Sequence, residues 1–253
     1  MDFIFVIVFG GLWGSFANVC IYRFPNNEGV VSGRSFCPNC KIKINWYDNI
    51  PLISYLVLGG KCRNCKKKIS VQYFIVETLS IILFTSIYYK FGASLTTLYL
   101  IILSLSFLII FFIDLKHFII PNILTFFLMI IGFIKSFDPN LNSMFPNYMN
   151  SLIGGIFGYG IIWSIIFIYK AIRKKEGMGL GDAKLFGAIG FWFGWVSIPF
   201  IIFLSSITAL IHVIPSLLNR SKNISSQIPF GPYIILATLI YVIFESNIKS
   251  LIF

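Results

Sequence analysis

The chain alternates long apolar stretches with short polar breaks along most of its length. It opens on FIFVIVFGGLWGSFANVCIY, which has no basic start and no small-residue cleavage site, and we interpret it as an uncleaved membrane span. Six further apolar regions follow, at 71–89, 94–113, 118–134, 149–169, 186–218 and 233–244. A transmembrane helix needs about 20 residues, so we divide 186–218 into two helices near Ser197-Ile198-Pro199. The pattern therefore predicts an all-α polytopic membrane protein with eight transmembrane helices.

Composition and charge agree with a membrane protein and add an orientation. The chain is 57% hydrophobic and 11% charged, whereas soluble domains have about a quarter charged residues. The loop 23–70, between the first two spans, carries nine of the 20 Lys and Arg residues. With this loop in the cytoplasm, only Lys90, Lys135 and Lys249 face outside, so we predict a protein of the cytoplasmic (inner) membrane with both termini outside. Topology and anionic lipid explain the net charge of +11, and no nucleic-acid partner is expected.

The first loop contains four of the five cysteines, arranged as two C-x-x-C pairs, Cys37 with Cys40 and Cys62 with Cys65. Each pair can point two thiolates at one tetrahedral ion, so the doubled spacing favours a zinc site. Four ligands saturate the ion, so the zinc would be structural and would supply most of the folding free energy of this small loop. Disulfides or redox thiols are the alternatives, and disulfides are rare in the cytoplasm. Cys20, inside the first span, is expected to pack in the core.

Three of the nine acidic residues, Glu77, Asp114 and Asp182, lie in or at the edge of apolar helix, where ionisable groups suggest function. Asp114 ends the third span and Asp182 begins the sixth, so the predicted topology places both at the cytoplasmic border of the membrane. Two carboxyl groups at one site do not both ionise cheaply, so such a pair can hold a water between an acid and a base. This arrangement hydrolyses peptide bonds without a metal. For Glu77 we expect a pair with Lys68 or another basic residue, the alternative being a direct catalytic part.

The segment GMGLGDAKLF places three glycines, Gly177, Gly179 and Gly181, before Asp182. Glycine permits backbone conformations closed to other residues and lets a substrate chain approach closely. Irregular backbone at membrane depth also requires surrounding protein or a wet cavity. The segment is therefore predicted to be a substrate-binding loop in front of a helix whose dipole favours ionised Asp182. The alternative is a helix-capping loop in which Asp182 is the N-cap.

Six motifs in order along the chain carry a resemblance to a known family. They are GSFANVCIYRFP (14–25), CPNC (37–40), WYDNIPLISYLVLGGKCRNC (46–65), IDLKHFIIPN (113–122), GMGLGDAKL (177–185) and IPFGPY (228–233). Together they resemble the type IV prepilin peptidases, membrane aspartyl proteases of the G-x-G-D class. This chain departs from the family pattern at Asn122, where the family often has Asp, and at Lys116, where acidic or polar residues are frequent.

The resemblance implies that Asp114 and Asp182 form a catalytic dyad that cleaves basic leaders from prepilins and pseudopilins at the cytoplasmic face, for type IV pili or protein secretion. It also implies methylation of the new N-terminal residue from S-adenosylmethionine. No glycine-rich nucleotide loop occurs here, so we expect the methylation site in the zinc loop and its membrane border, around Glu28 to Ile69. The expected domains are the first transmembrane helix (1–22), the cytoplasmic zinc-binding loop (23–70) and a seven-helix protease core (71–253).

Two other functions remain open from the residues alone. One is an ion-coupled transporter or channel in which Asp114 and Asp182 form an ion relay, since glycine-interrupted helices also suit transporters. The other is a non-enzymatic assembly factor that docks partners through the zinc loop. A transporter is disfavoured because the chain shows no internal repeat and its acidic residues lie at one membrane border.

Overall fold

The computed structural model describes residues 2–30, 35–141, 144–174, 177–218 and 228–252. Within these ranges the chain is mostly helical and has no β-strand, only two isolated β-bridges in the loop that carries the paired cysteines. The α-helices, in chain order, are α1 (Asp2–Arg23), α2 (Ile53–Val57), α3 (Val71–Phe91), α4 (Leu95–His117), α5 (Asn122–Lys135), α6 (Tyr148–Arg173), α7 (Leu180–Phe193), α8 (Ser197–Leu218) and α9 (Gly231–Ile252).

Local chemistry sets where several helices begin. The side chains of Ser70 and Asn147 each accept a backbone N–H at the first turn of α3 and α6, as N-cap residues do. Helix α5 begins at Asn122, although the apolar run starts at Phe118. Pro121 lies directly before the helix, and its missing N–H costs no hydrogen bond there. Its ring would clash with a helical turn that preceded it, so the helix begins after the proline.

Five helices in the described ranges are long and apolar enough to cross a membrane, namely α1, α3, α4, α6 and α8. The shorter apolar helices α5 and α9 do not reach that length within their described hydrophobic segments. The predicted division of 186–218 into two helices is confirmed, because α7 ends at Phe193 and α8 begins at Ser197. The break lies at Gly194, whose positive φ of 78° ends α7, whereas Pro199 fits in the first turn of α8.

The predicted sidedness rests on basic residues, not all of which can be placed. Arg34, Lys175, Arg220, Lys222 and the side chain of Lys249 lie outside the part of the chain that the structure describes.

The chain forms two compact units, residues 1–109 (unit 1) and residues 110–253 (unit 2). In unit 1, α1 packs along α3 through small residues of α1. A Cβ added to Gly14 would lie 2.8 Å from the Cα of Glu77, so only glycine allows the two helices this separation. The close contact presses the backbone around Glu77 against α1 and leaves the carboxyl group near the loop that carries the cysteines.

In unit 2, α7 is the central helix and contacts α5, α6, α8 and α9. A Cβ on Gly190 would overlap the backbone of Gly154, so α6 and α7 meet with almost no side chain between them. The side chains of Leu185, Phe186 and Trp192 on α7 are fully buried. Asp182 therefore sits on the first turn of the most enclosed helix of the unit.

The end of α5 carries a buried cation. The side chain of Lys135, which the charge pattern places on the outer side, is fully buried. Its Nζ donates a hydrogen bond to the Trp192 carbonyl oxygen at 3.0 Å and lies 3.9 Å from the centre of the Phe145 ring. Cation–π contact and a helix C-terminal carbonyl both stabilise a desolvated ammonium group. Lys135 thus joins the C-terminal ends of α5 and α7.

Candidate active site

Asp114 lies in the last turn of α4, and its carboxyl group meets the start of α9. The side chain is 4% exposed, and its Oδ2 accepts a hydrogen bond of 2.9 Å from the backbone N–H of Gly231. Gly231 is the first residue of α9, so this N–H has no partner within the helix. The N-terminus of a helix favours negative charge. Helix α9 therefore both orients the Asp114 carboxylate and stabilises it.

Asp182 lies in the first turn of α7, and its Oδ2 lies beside the N-cap residue Gly179, 3.8 Å from where a Cβ on that glycine would stand. Gly179 is the N-cap and Asp182 the third helical residue, so Asp182 lies in the first turn as expected, and the alternative of Asp182 as N-cap is wrong by three positions. An acidic side chain in the first turn of a helix is stabilised by the helix dipole. The side chain is 8% exposed.

The structure brings these two carboxyl groups to one place. Asp114 and Asp182 interact electrostatically across the site. Ile120 joins their surroundings, because a Cβ on Gly181 would lie 3.0 Å from the Ile120 Cβ, and a Cβ on Gly231 would lie 3.3 Å from its Cδ1. Two buried carboxyl groups, of which Asp114 accepts the Gly231 N–H, thus share one environment at the end of α4 and the start of α7.

The three glycines before Asp182 matter because they are small and not because their backbone is unusual. The expectation that they adopt conformations closed to other residues is wrong, since none of the three has a positive φ. A Cβ on Gly177 would lie 2.6 Å from the Tyr169 ring, whereas one on Gly179 would meet nothing closer than 3.8 Å. Small size at Gly177 and Gly181 lets α7 begin against neighbouring side chains, and Gly179 leaves open space beside Asp182.

Two contacts around the dyad were missed in the sequence. The motif IPFGPY was recognised, but nothing in it indicated that the Gly231 N–H reaches Asp114, 117 residues earlier. Lys184, one turn into the exposed side of α7, donates a hydrogen bond of 2.8 Å to the Asn122 Oδ1. An Asp at this position, which the family pattern often has, would accept the same hydrogen bond through its carboxylate. Asn122 accepts it through its amide oxygen.

The four cysteines of the loop form a second, separate cluster. The Sγ atoms of Cys37, Cys40, Cys62 and Cys65 all lie within 4.8 Å of one another, and Cys37 and Cys65 are 3.9 Å apart. Zinc–sulfur bonds of about 2.3 Å place the sulfurs of a tetrahedral site about 3.8 Å apart, so the cluster fits zinc. All five cysteines are free thiols, which disfavours the disulfide alternative, and Cys20 is buried in α1 as expected.

The two C-x-x-C turns share one backbone conformation. Lys41 and Lys66, each four residues after the first cysteine of its pair, have positive φ angles of 59° and 57°. In each turn that lysine's N–H donates to the carbonyl of the first cysteine. The backbone N–H of Lys67 lowers the pKa of the Cys65 thiol to about 6. The thiolate is the form that binds a metal, so this N–H prepares the Cys65 sulfur for an ion.

Side-chain contacts join the two turns and the segment between them. Lys67 Nζ donates a hydrogen bond of 2.8 Å to the Asn39 Oδ1, across the two turns. Arg63 binds Asp48 with two nitrogens, at 2.8 and 2.6 Å, and this guanidinium lowers the pKa of the Asp48 carboxyl group. These exposed contacts add little stability in water. The cysteine cluster is therefore the main feature that can hold the loop together.

A cavity of about 520 Å³ lies in unit 1 between this loop and the ends of α1 and α3. Its wall includes Cys37 and Cys62 from the cluster, and Asn18 and Glu77 from the two helices. The expected pair of Glu77 with Lys68 or another basic residue is wrong, since the one ion pair among the described residues is Arg63 with Asp48. Instead, Glu77 Oε2 accepts a hydrogen bond of 2.8 Å from the Leu52 backbone N–H. A carboxyl group buried in a helix pair thus faces a cavity large enough for a small molecule.

Comparison with known proteins gives two family matches that follow one another along the chain. Residues 8–91 match the model of the bacterial peptidase A24 N-terminal domain, and residues 101–214 match that of the type IV leader peptidase family. The first contains the cysteine cluster and Glu77, and the second contains Asp114 and Asp182. No solved structure matches the chain.

Curated relatives match almost the whole chain. A protein from Vibrio cholerae is 37% identical over 95% of this chain and 97% of its own length, and one from Pseudomonas aeruginosa is 33% identical over 96% and 90%. A third, from Aeromonas hydrophila, is 34% identical over 97% and 92%. All three are named prepilin leader peptidase/N-methyltransferase. With two consecutive family matches and relatives of this identity along nearly its full length, the chain belongs to the type IV leader peptidase family.

Proposed function

We propose that this chain is an aspartic endopeptidase that removes basic leader peptides from type IV prepilins and pseudopilins, with Asp114 and Asp182 as its catalytic dyad. The observation that carries the proposal is the meeting of these two buried carboxyl groups in one site, in a member of this family. After cleavage, the same chain methylates the new N-terminal residue, as the names of its curated relatives suggest.

The dyad works as an acid and a base. In the resting site one carboxyl group holds a proton and the other is ionised, because two adjacent charges in a buried site are costly. The ionised group takes a proton from a water held between the pair, and that water attacks the scissile carbonyl carbon. The protonated group donates its proton to the reacting substrate, so no metal takes part in proteolysis. The N–H group of Gly231 orients the Asp114 carboxyl group before the substrate arrives.

The substrate is an apolar pilin helix in the membrane, preceded by a short basic leader. Such a helix reaches the site by lateral diffusion and presents its scissile bond at the cytoplasmic border. The open space at Gly179, beside the Asp182 carboxyl group, allows an extended substrate backbone to lie close to the dyad. Gly177 and Gly181 support the same loop by letting it pack closely.

The topology that we propose has eight transmembrane helices, namely the five of spanning length together with the shorter α5, α7 and α9. Under this topology the first helix (1–22), the zinc-binding loop (23–70) and the seven-helix protease core (71–253) are the functional parts. The loop and the dyad face the cytoplasm, both termini face outside, and the membrane is the cytoplasmic (inner) membrane. The distribution of Lys and Arg supports this orientation.

Two further groups complete the proposed enzyme. Zinc bound by Cys37, Cys40, Cys62 and Cys65 would hold the loop in shape, since four sulfur ligands leave no position for a substrate. S-adenosylmethionine would supply the methyl group, and the cavity of unit 1 has a volume typical of cofactor sites. The cavity extends beyond the expected range Glu28 to Ile69, because α1 and α3 form part of its wall.

One reaction mixture tests the proposal. Purified enzyme, a prepilin and S-adenosylmethionine are incubated together, and the products are identified by mass spectrometry. We expect two products, a free leader and a shortened pilin whose N-terminus carries a methyl group, and we expect cleavage to persist with a zinc chelator present. An intact prepilin after prolonged incubation with well-folded enzyme would contradict the proteolytic function.

The hydrogen bond from α9 to the dyad leads to a prediction at Gly231. A Cβ on this residue would lie 2.8 Å from the Asp114 Oδ2, so the Gly231→Ala substitution displaces the carboxyl group without changing either aspartate. We expect the rate of leader cleavage to fall about 100-fold, since misplacement of a catalytic group by about 1 Å has effects of this size. Gly160→Ala in α6 is the matched control, because a Cβ there meets nothing within 4 Å. Equal cleavage rates for the two variants would contradict the role of this N–H.

A further inference from the structure

We propose that Asn18 and Glu77 bind the amine that accepts the methyl group, an inference that rests on the methyl transfer proposed above. The α-amino group of the cleaved pilin would dock on these two side chains, in the cavity of unit 1 between α1, α3 and the four-cysteine loop. This assignment places the acceptor subsite on the two helices and leaves the loop side of the cavity for the methyl donor.

Asn18 supplies the first observation. Its side chain is 3% exposed, and its Nδ2 donates a hydrogen bond of 3.1 Å to the Tyr73 carbonyl oxygen. That bond fixes the orientation of the amide, yet its Oδ1 has no hydrogen-bond partner and the residue lines the cavity. A buried amide oxygen left without a partner costs free energy. A ligand that donates a hydrogen bond to this oxygen would recover that free energy.

Glu77 supplies the second observation. Its side chain is 7% exposed and lines the same cavity. Among the described residues the one ion pair is Arg63 with Asp48, so no described Lys or Arg neutralises this carboxyl group. Its partner in the fold is instead the backbone N–H of Leu52. A carboxylate and a free amide oxygen are both acceptors, and the ligand that matches them is a cation with several N–H donors, such as a primary ammonium group.

The distribution of charge in the cavity favours the acceptor amine over the methyl donor at this position. Basic side chains line the loop side of the cavity, namely Lys43, Arg63, Lys67 and Lys68, and the acidic Asp48 there is paired with Arg63. Arg23 lines the cavity at the end of α1, where it donates a hydrogen bond to the Gly29 carbonyl oxygen. The basic side chains of the loop suit the carboxylate and the hydroxyl groups of S-adenosylmethionine, which is soluble and arrives from the cytoplasm. The pilin amine is attached to an apolar helix in the membrane, and Asn18 and Glu77 belong to two helices that are long enough to cross it.

The chemistry assigned to the pair is proton removal followed by methyl transfer. The pilin N-terminus binds as an ammonium group and gives one proton to the Glu77 carboxylate, which frees the lone pair on nitrogen. The nitrogen then forms a bond to the methyl carbon of the donor as the carbon–sulfur bond breaks, and that electron pair stays on sulfur. The products are a methylated ammonium group and a neutral thioether, with the removed proton on Glu77.

The test uses the full-length enzyme, a purified pilin already freed of its leader, and S-adenosylmethionine. Glu77→Gln removes the base but keeps an oxygen that accepts the Leu52 N–H, so the loop stays attached to α3. We expect the rate of methyl transfer to fall about 100-fold, the lower range for loss of a general base. Leader cleavage, zinc content and the Kd for S-adenosylmethionine should change less than about twofold. For Asn18→Ala we expect the KM for the pilin to rise about tenfold, the size of one lost hydrogen bond to a charged group.

Ser80→Ala is the matched control. Ser80 lies on α3 close to Glu77 and is fully buried, and its Oγ has no hydrogen-bond partner, but it does not line the cavity. We expect this variant to methylate the pilin like the wild type. An equal loss of methyl transfer in Ser80→Ala and Glu77→Gln would assign the effect to helix packing and overturn the inference.

The remaining outcomes separate this inference from the proposed function. Normal methyl transfer by Glu77→Gln, beside a methylating wild type, overturns the inference alone. If Glu77→Gln also loses S-adenosylmethionine binding, Asn18 and Glu77 belong to the site of the methyl donor. If it loses both leader cleavage and zinc, the two residues have a structural role. Either result overturns the inference. A wild-type enzyme that cleaves prepilin but adds no methyl group overturns the proposed methyl transfer together with the inference.

Discussion

Replacing either Asp114 or Asp182 by asparagine is expected to abolish leader cleavage while the protein still folds and inserts. Asparagine has the shape of aspartate, and at position 114 its side-chain oxygen still accepts the hydrogen bond from Gly231. It neither takes nor gives a proton in the reaction, so the water between the two groups is not activated. We expect the initial rate of cleavage to fall by at least about 1,000-fold, within the range for loss of an acid or base.

The stability of these two variants separates catalysis from structure. Both carboxyl groups are buried, and replacing a buried ionisable group by a neutral one of equal shape removes a cost of desolvation. We therefore expect thermal unfolding at the wild-type temperature or slightly above it, measured in detergent. Asp138→Asn is the control, because this carboxyl group caps a loop in the same unit, away from the dyad. Full processing of prepilin by either dyad variant would refute the proposed mechanism.

Replacing Cys62 by serine is expected to release the metal and to reduce methylation far more than cleavage. Binding of zinc by peptides of this kind is worth about 10–16 kcal/mol near neutral pH, more than a loop of this size gains from its own core. With three sulfur ligands left, the loop loses its fixed shape, and the cavity that it lines opens. Asp114 and Asp182 lie outside unit 1, so the dyad keeps its geometry.

The measurement combines metal analysis of the purified variant with the mass-spectrometric assay. We expect the zinc content to fall from one ion per chain to nearly none, the methylated fraction to fall at least tenfold, and cleavage to stay within about threefold. Cys20→Ala is the control, since this cysteine is buried in α1 and is not part of the cluster. A well-folded wild type without zinc would rule out the metal site.

The sequence alone predicts the candidate chemistry because each part of it is a local pattern. Apolar run length marks the helices, so their approximate positions follow from hydrophobicity along the chain. The doubled C-x-x-C spacing indicates four sulfur ligands before any fold is known, and the structure brings all four together. Asp114 and Asp182 stand out because carboxyl groups are rare in apolar helices. Their roles as a dyad stay a prediction that the proposed substitutions test.

The tertiary structure decided the contacts that join distant parts of the chain. Only the packing of α9 against α4 brings the Gly231 N–H to Asp114, and only the meeting of α6 and α7 explains the glycines that face each other there. The sequence suggested Lys68 as the partner of Glu77, but the fold supplies the Leu52 backbone instead.

The sequence and the tertiary structure thus determine different properties of the protein. Hydrophobic run length and cysteine spacing depend on neighbouring residues, so the chain by itself determined the approximate positions of its helices and the four sulfur atoms of its cysteine cluster. The partner of a buried polar group depends on which backbone N–H group, or which cavity, lies beside it once the helices are packed. That is why Asn18 and Glu77, unremarkable or ambiguous in the sequence, become a candidate ligand site only when α1 and α3 are packed together.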